Sequence, residues 1–250
     1  MGVNIGATGE TGVFVGASDI ITDNLLFYMD TGHDSCYPGT GTSVQDLSAT
    51  ANGGTTGTVV GSPTFDISKS SFYFDGADYI KFGNVSNLNF DYDDNYTVCV
   101  WAYQEDESSM LVSKAMSSGN YTGWYLYFYH SYDWFYANLY NDTSPSRRFS
   151  QVVSGWQTEV WQYICVQHKW NGSAHSGNVY VNGDSQSIFS TTNTLGTYST
   201  TTTNEFCVGS RNLTDNYMHG SIPIVQIYGT ALTSEQILHN FNVDRARFGI

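Results

Sequence analysis

The sequence predicts an all-β sandwich or barrel with one short C-terminal helix, and three observations carry that prediction. Charged residues make up only 13% of the 250-residue chain, about half the usual quarter. Polarity comes instead from Ser, Thr, Asn, Gly and Tyr, the residues of strands and turns. Roughly a dozen short β-prone runs are punctuated by turn signals, the spacing of a sandwich or barrel rather than of alternating strands and helices. Finally, residues 121–140, YTGWYLYFYHSYDWFYANLY, hold eleven aromatics and sort cleanly into two faces.

Taken in order, residues 1–20 are Gly-rich and weakly patterned and suit a flexible arm or docking segment ahead of a single domain over 21–250. Its GATGETGVFVG run has no strand before it and no amphipathic helix after it, so it is not a dinucleotide loop. Leu25–Asp30 is a compact apolar run of the kind that opens a sheet. A turn-rich region with one short strand near Thr58–Val60 follows. Ser71–Phe82 reads as strand, Asp75-Gly76 turn, strand. Tyr96–Gln104 and Val160–Trp170 are long β-branched and aromatic runs. Met110–Lys114, Phe149–Val153, Glu205–Val208 and Ile222–Tyr228 are shorter ones. Asn182-Gly183 is a tight-turn signal, with Ser187–Phe189 as the returning strand. At the C-terminus Thr233 is an N-cap, Gln236 completes a capping box, and Leu232 with Ile237 forms a hydrophobic staple. Ile237, Leu238 and Phe241 give the apolar stripe of a helix from about Ser234 to Asn242.

The stretch 121–140 is the candidate functional element. Strand side chains alternate between faces. Trp124, Leu126, Phe128, Phe135, Ala137 and Leu139 therefore share one apolar face. Tyr125, Tyr127, Tyr129, Trp134, Tyr136 and Asn138 share the other, across a turn at 131–133. Rings with hydroxyl tips suit wet, specific surfaces. They can stack on the C–H face of a sugar while the hydroxyls and the Asn amide bond its hydroxyls. The same row could equally pack under a loop, against a second sheet or against a neighbouring subunit.

A net charge of −14 with nine Lys plus Arg excludes a basic nucleic-acid surface and disfavours anionic membranes. No apolar run approaches membrane-spanning length, and the N-terminus lacks the basic and apolar regions of a secretory signal. Cys36, Cys99, Cys165 and Cys207 lack metal-site spacing; buried free thiols are the expectation, with a disulfide left open.

The order of motifs resembles the laminin G-like branch of the concanavalin A-like lectin/glucanase superfamily. The matching pieces are Phe74-Asp75-Gly76-Ala77-Asp78-Tyr79-Ile80, Tyr96–Ala102, Leu111–Lys114 with Gly123–Leu126, Trp161–Val166, Val179–Gly183, and Gly220–Tyr228 leading into Ala231–Ile237. The resemblance spans roughly residues 24–242. It implies a two-sheet antiparallel jelly-roll, and carbohydrate binding or adhesion more often than catalysis. A narrower resemblance is to such domains in tailed-phage structural proteins. It rests on Leu26-Phe27-Tyr28-Met29-Asp30, Ser35–Pro38, Asp46-Leu47-Ser48 and the ending Asn240-Phe241-Asn242, Arg245, Arg247-Phe248-Gly249-Ile250. It implies a virion component (capsid decoration, head fibre or tail) that meets other virion proteins through its arm, and glycans or a second copy of itself through the domain. A purely structural, capsid-stabilising role is the alternative.

Two further chemistries are weighed on residues. A polysaccharide-degrading enzyme needs two carboxylates placed across the scissile bond. The superfamily's glucanases carry a Glu-x-Asp-x-Glu strand that this chain lacks, and Glu105-Asp106-Glu107 reads as a solvated turn. For a cation, Asp30, Asp75 and Asp78 lie near turns and offer the oxygen ligands that Ca²⁺ takes. The resemblance implies Ca²⁺ near the Asp-Gly-x-x-Asp turn, but this chain has Pro223 where an acidic residue is usual. Alternatively Asp75 only closes an Asx-turn.

Overall fold

The computed structural model describes residues 19–48, 54–105, 107–115, 121–143, 145–211 and 216–250. The arm expected over residues 1–20 lies outside the described residues except for its last two. The first half of the chain gives β1 (Leu25–Asp30), β2 (Ser43–Gln45), β3 (Thr56–Val60), β4 (Thr64–Asp66), β5 (Ser71–Asp75), β6 (Tyr79–Lys81), β7 (Tyr96–Gln104) and β8 (Ser109–Ala115). Then come β9 (Gly123–Tyr129), β10 (Trp134–Asn141), β11 (Arg147–Ser154), β12 (Trp161–Trp170), β13 (His175–Ser176) and β14 (Val179–Val181). The last strands are β15 (Asp184–Ser185), β16 (Ser190–Asn193), β17 (Cys207–Val208) and β18 (His219–Tyr228), before helix α1 (Ser234–Phe248).

The strands form two antiparallel nine-stranded sheets, as the jelly-roll expectation requires. The first runs β15-β14-β12-β7-β18-β5-β4, with β1 also on β18 and β13 on β12; the second runs β16-β11-β10-β9-β8-β17-β6-β3-β2. Between them lies one apolar core that includes Phe27, Phe74, Ile80, Val98, Val100, Trp124, Leu126, Phe128, Phe135, Ile164 and Val225.

The first sheet is buried on both faces. On its far side Trp101, Tyr163, Cys165, Ile224 and Tyr228 pack against Ile237, Phe241 and Phe248 of α1. Trp101 takes Phe248 at 4.3 Å and Phe241 at 5.7 Å between ring centres. Continuous burial explains why β7, β12 and β18 read as unbroken apolar runs rather than alternating ones. Asn240 ties the helix to the chain entry. Its Oδ1 accepts from the Ile21 amide at 2.8 Å and its Nδ2 donates to the Tyr228 hydroxyl at 2.9 Å.

The capping box is formed: Thr233 Oγ1 accepts from the Gln236 amide and Gln236 Oε1 from the Thr233 amide. The helix runs six residues past the expected end at Asn242, to Phe248, because Phe248 supplies one more core contact and Gly249, at φ 79°, ends it. Leu238 is a correction: it is 43% exposed and lies off the buried stripe.

Three other expectations are corrected. Cys99 and Cys165 face each other on neighbouring strands β7 and β12 and form a disulfide, while Cys36 and Cys207 are buried thiols outside it. The Asp75-Gly76 turn does not close a hairpin. Gly76, at φ 92°, carries the chain from β5 in the first sheet to β6 in the second. Asn182 and Gly183 do make a two-residue hairpin turn, both at positive φ. The returning strand, however, is Asp184–Ser185 rather than 187–189; the chain beyond it leaves to pair Ser190–Asn193 with β11.

Candidate functional site

The second sheet differs from the first in having one face turned outward. On β9 burial alternates from Trp124 onward, and on β10 Trp134, Tyr136 and Tyr140 are part-exposed while Asn138, of the predicted outward set, is 6% exposed and counts as buried. Trp124, Leu126, Phe128, Phe135, Ala137 and Leu139 point into the core, and the predicted set points the other way, as the parity argument expects. Register aligns that set in rungs. Tyr125 is opposite Asn138, Tyr127 opposite Tyr136, and Tyr129 opposite Trp134. The connecting residues form a 3₁₀ turn over His130–Tyr132, with Asp133 in the left-handed region at φ 51°.

The rings run as a continuous strip. Tyr127 lies 6.2 Å from Tyr129 and 6.5 Å from Tyr136; Trp134 lies 6.1 Å from Tyr136. At the hairpin tip Trp134 stacks on Tyr132 at 4.7 Å and meets Phe189 at 5.5 Å. Tyr132 and Phe189 are 58% and 60% exposed, so the tip presents two large rings to solvent. A groove of about 310 Å³ lies along the strip, lined by Tyr125, Tyr127, Tyr129, Tyr136, Asn138, Arg148, Arg211 and Asn216. Five of the six expected residues thus share one groove, and Trp134 caps its end beside Phe189.

Sequence reasoning missed Tyr132, Phe189, Arg148 and Arg211. Arg148 reaches the groove because β11 pairs with β10 so that Arg148 sits opposite Tyr140. Arg211 lays its guanidinium over Tyr121 at 4.8 Å and Tyr125 at 5.9 Å. Burial pushes the Tyr125 phenol up to about 12, with the charges of Arg211 and Arg148 acting against that shift. The hydroxyl therefore stays a neutral donor and acceptor at physiological pH.

The three candidate cation ligands do not form one site. Asp30 Oδ1 is 2.6 Å from Arg247 Nη1 and accepts from the Gly32 amide. Asp78 is buried, with Oδ1 accepting from the Ser62 amide at 2.7 Å. Asp75 Oδ1 caps its own turn at the Ala77 amide. Register places Asp75 opposite His219 and Asp30 opposite Ile224, five residues apart on β18, on the order of 15 Å. Among the described residues no group of three or more His, Cys, Asp or Glu is arranged to hold a metal. These carboxylates do not fit a Ca²⁺ cage as a set.

A second cavity, about 640 Å³, lies between β1 and α1 and is lined by Asp19, Ile20, Tyr28, His33, Leu47 and Asp244 among others. Burial, then the charge of Asp30, pushes the Asp244 carboxyl up to about 7 against the pull of Arg247, and its Oδ2 is buried without a hydrogen bond. A carboxyl raised in the fold costs nothing below its unfolded value near 4; the cost grows as pH rises and is complete above about 7. Asp244→Asn is therefore expected to raise stability by about 2 kcal/mol at pH 8 and to change almost nothing at about pH 3, measured by urea denaturation at both pH values.

A two-sheet sandwich with a ring-lined groove on one open face is the architecture of a lectin-like module. Residues 74–238 match the model for the concanavalin A-like lectin/glucanases superfamily, and the chain belongs to that superfamily, in its laminin G-like branch. A search of curated proteins found no match. Solved structures of the same fold include a botulinum neurotoxin type C structure described by its cell entry through two ganglioside molecules (TM-score 0.61, 12% identity, 88% of this chain and 51% of that one). They also include the binding domain of Paraclostridial Mosquitocidal Protein 1 (0.61, 15%, 88% and 52%) and a Trypanosoma rangeli sialidase in complex with sialic acid (0.60, 11%, 89% and 33%). The chain spans about half the length of the toxin chains and a third of the sialidase.

Proposed function

We propose that this domain is a non-enzymatic glycan-binding module of a phage virion protein, a capsid decoration, head-fibre or tail component, which reads carbohydrate with the outer face of β9 and β10. The observation that carries the reading is the outward strip of Tyr125, Tyr127, Tyr129, Trp134 and Tyr136, bracketed by the exposed rings of Tyr132 and Phe189. Rings 6.2 Å apart on β9 (Tyr127, Tyr129) and 6.1 Å apart on β10 (Trp134, Tyr136) give successive sugar units a stacking surface, and the hydroxyls with Asn138 supply the directional bonds. The fold neighbours named for gangliosides and sialic acid support a sugar ligand. The virion assignment leans on the tailed-phage resemblance of residues 26–30 and 240–250, with residues 1–20 as the segment that docks to other virion proteins. Against hydrolysis, Glu105 takes the Tyr73 hydroxyl on both carboxylate oxygens, at 3.0 and 3.1 Å.

The test is a glycan array followed by calorimetry. Tyr136→Ala and Trp134→Ala should each weaken binding about tenfold or more while the melting temperature stays near wild type. An array with no hit removes the carbohydrate reading and leaves the purely structural one. Electron microscopy of the particle tests the virion assignment separately.

A further inference from the structure

The chain carries nine Lys plus Arg against 23 Asp plus Glu, yet two of its five arginines line the aromatic groove. The others are occupied. Arg147 lies over the Tyr198 ring, Arg245 over Phe241, and Arg247 on Asp30. Within the groove Arg211 lies over Tyr121 and Tyr125. The guanidinium of Arg148 is exposed and has no carboxylate within ion-pair distance among the described residues. It lines the groove together with Tyr125, Tyr127, Tyr136 and Asn138, and its register opposite Tyr140 puts it on their face of the sheet.

The overall field of a chain at −14 repels anions at long range. A cation held at this ring-lined groove reverses the sign locally, within a Debye length of about 8 Å. Neutral sugars would be served by the hydroxyls and the Asn138 amide alone. A planar, five-donor guanidinium matches a carboxylate in two parallel bonds, which neither a hydroxyl nor an amide can do.

We propose that the groove selects an acidic glycan, one carrying a carboxylate sugar, with the Arg148 guanidinium as the carboxylate partner and Tyr127 and Tyr136 as the stacking surface. This rests on the glycan-binding reading above. Arg148 sets charge preference and the rings set affinity for sugar as such, so the two are separable.

The experiment measures binding, by calorimetry on the full chain, of a sialylated oligosaccharide and an oligogalacturonate. Each is compared with the same molecule after its carboxyl groups are reduced to alcohols. The expected result is tighter binding of at least one acidic form, about tenfold over its reduced counterpart, a preference that falls as NaCl is raised and is lost in Arg148→Gln. Equal binding of acidic and reduced forms, abolished by Tyr136→Ala and indifferent to Arg148→Gln, overturns the acidic preference and keeps the glycan site. No binding of either form, with an array also blank, overturns both. Arg148 is a surface residue, so Arg148→Gln is expected to melt with wild type and its binding is interpretable.

Discussion

Replacing Cys99 and Cys165 together by alanine is expected to lower stability by about 4 kcal/mol, or about 10 °C in melting temperature for a domain of this size. The bond joins residues 66 apart, and the chain-entropy estimate for a loop of that length gives this figure. The closed loop contains β8 to β11, so it spans the whole tyrosine-bearing hairpin and its flanking strands. The bond ties β7 to β12, two adjacent inner strands of the first sheet, beneath α1. Thiol titration in denaturant without reductant should find two reactive groups, Cys36 and Cys207, in wild type. Reductant should destabilise wild type and leave the double variant unchanged. Four reactive thiols in wild type would overturn the pairing.

Arg247→Met is expected to cost about 2–3 kcal/mol, with a matching fall in the urea midpoint. One guanidinium ties two chain segments to α1. Nη1 bonds Asp30 at the end of β1. Nε and Nη2 bond the Lys69 carbonyl at 3.2 and 3.0 Å, and Nη2 the Ser70 carbonyl at 2.9 Å. Both charged side chains are largely shielded, at 22% and 14% exposure, so the loss is not that of a surface pair. It also strands Asp30 next to Asp244 with no cation between them. Arg247→Lys should recover only part of the loss, because an ammonium cannot span three acceptors. Asp244→Asn in the Met background should recover some at pH 8, since it removes the repulsion. Additive effects of the two changes would show that Arg247 and Asp244 are not coupled.

What was legible in the chain follows from the range of each interaction. The inward and outward sets of β9 and β10 were readable because the strand period is two and strictly local. The capping box was readable for the same reason: donor and acceptor lie three residues apart. The Cys99–Cys165 bond was not, since it depends on β7 and β12 being neighbours, which the sheet order decides. The Asp75-Gly76 turn looks the same whether the next strand folds back or crosses to the opposite sheet, so turn chemistry alone suggested a hairpin. Arg148 entered the groove through the register of β11, and Phe189 through the loop beyond Asp184–Ser185, neither of which has a local signature. Asp30 was readable only as an oxygen donor near a turn; its ion pair with Arg247 was not, because the arginine lies over two hundred residues away.

Three fastenings described above lie on one side of the molecule. Its covalent bridge, its helix and the part-shielded Arg247 attach to the first sheet, whereas the ring-bearing face of the second takes no part in these three. Diversity can therefore accumulate where contact with the outside is made without weakening the frame behind it. A library randomised at Tyr127, Tyr129, Trp134, Tyr136 and Arg148 would explore new specificities on an unchanged chassis.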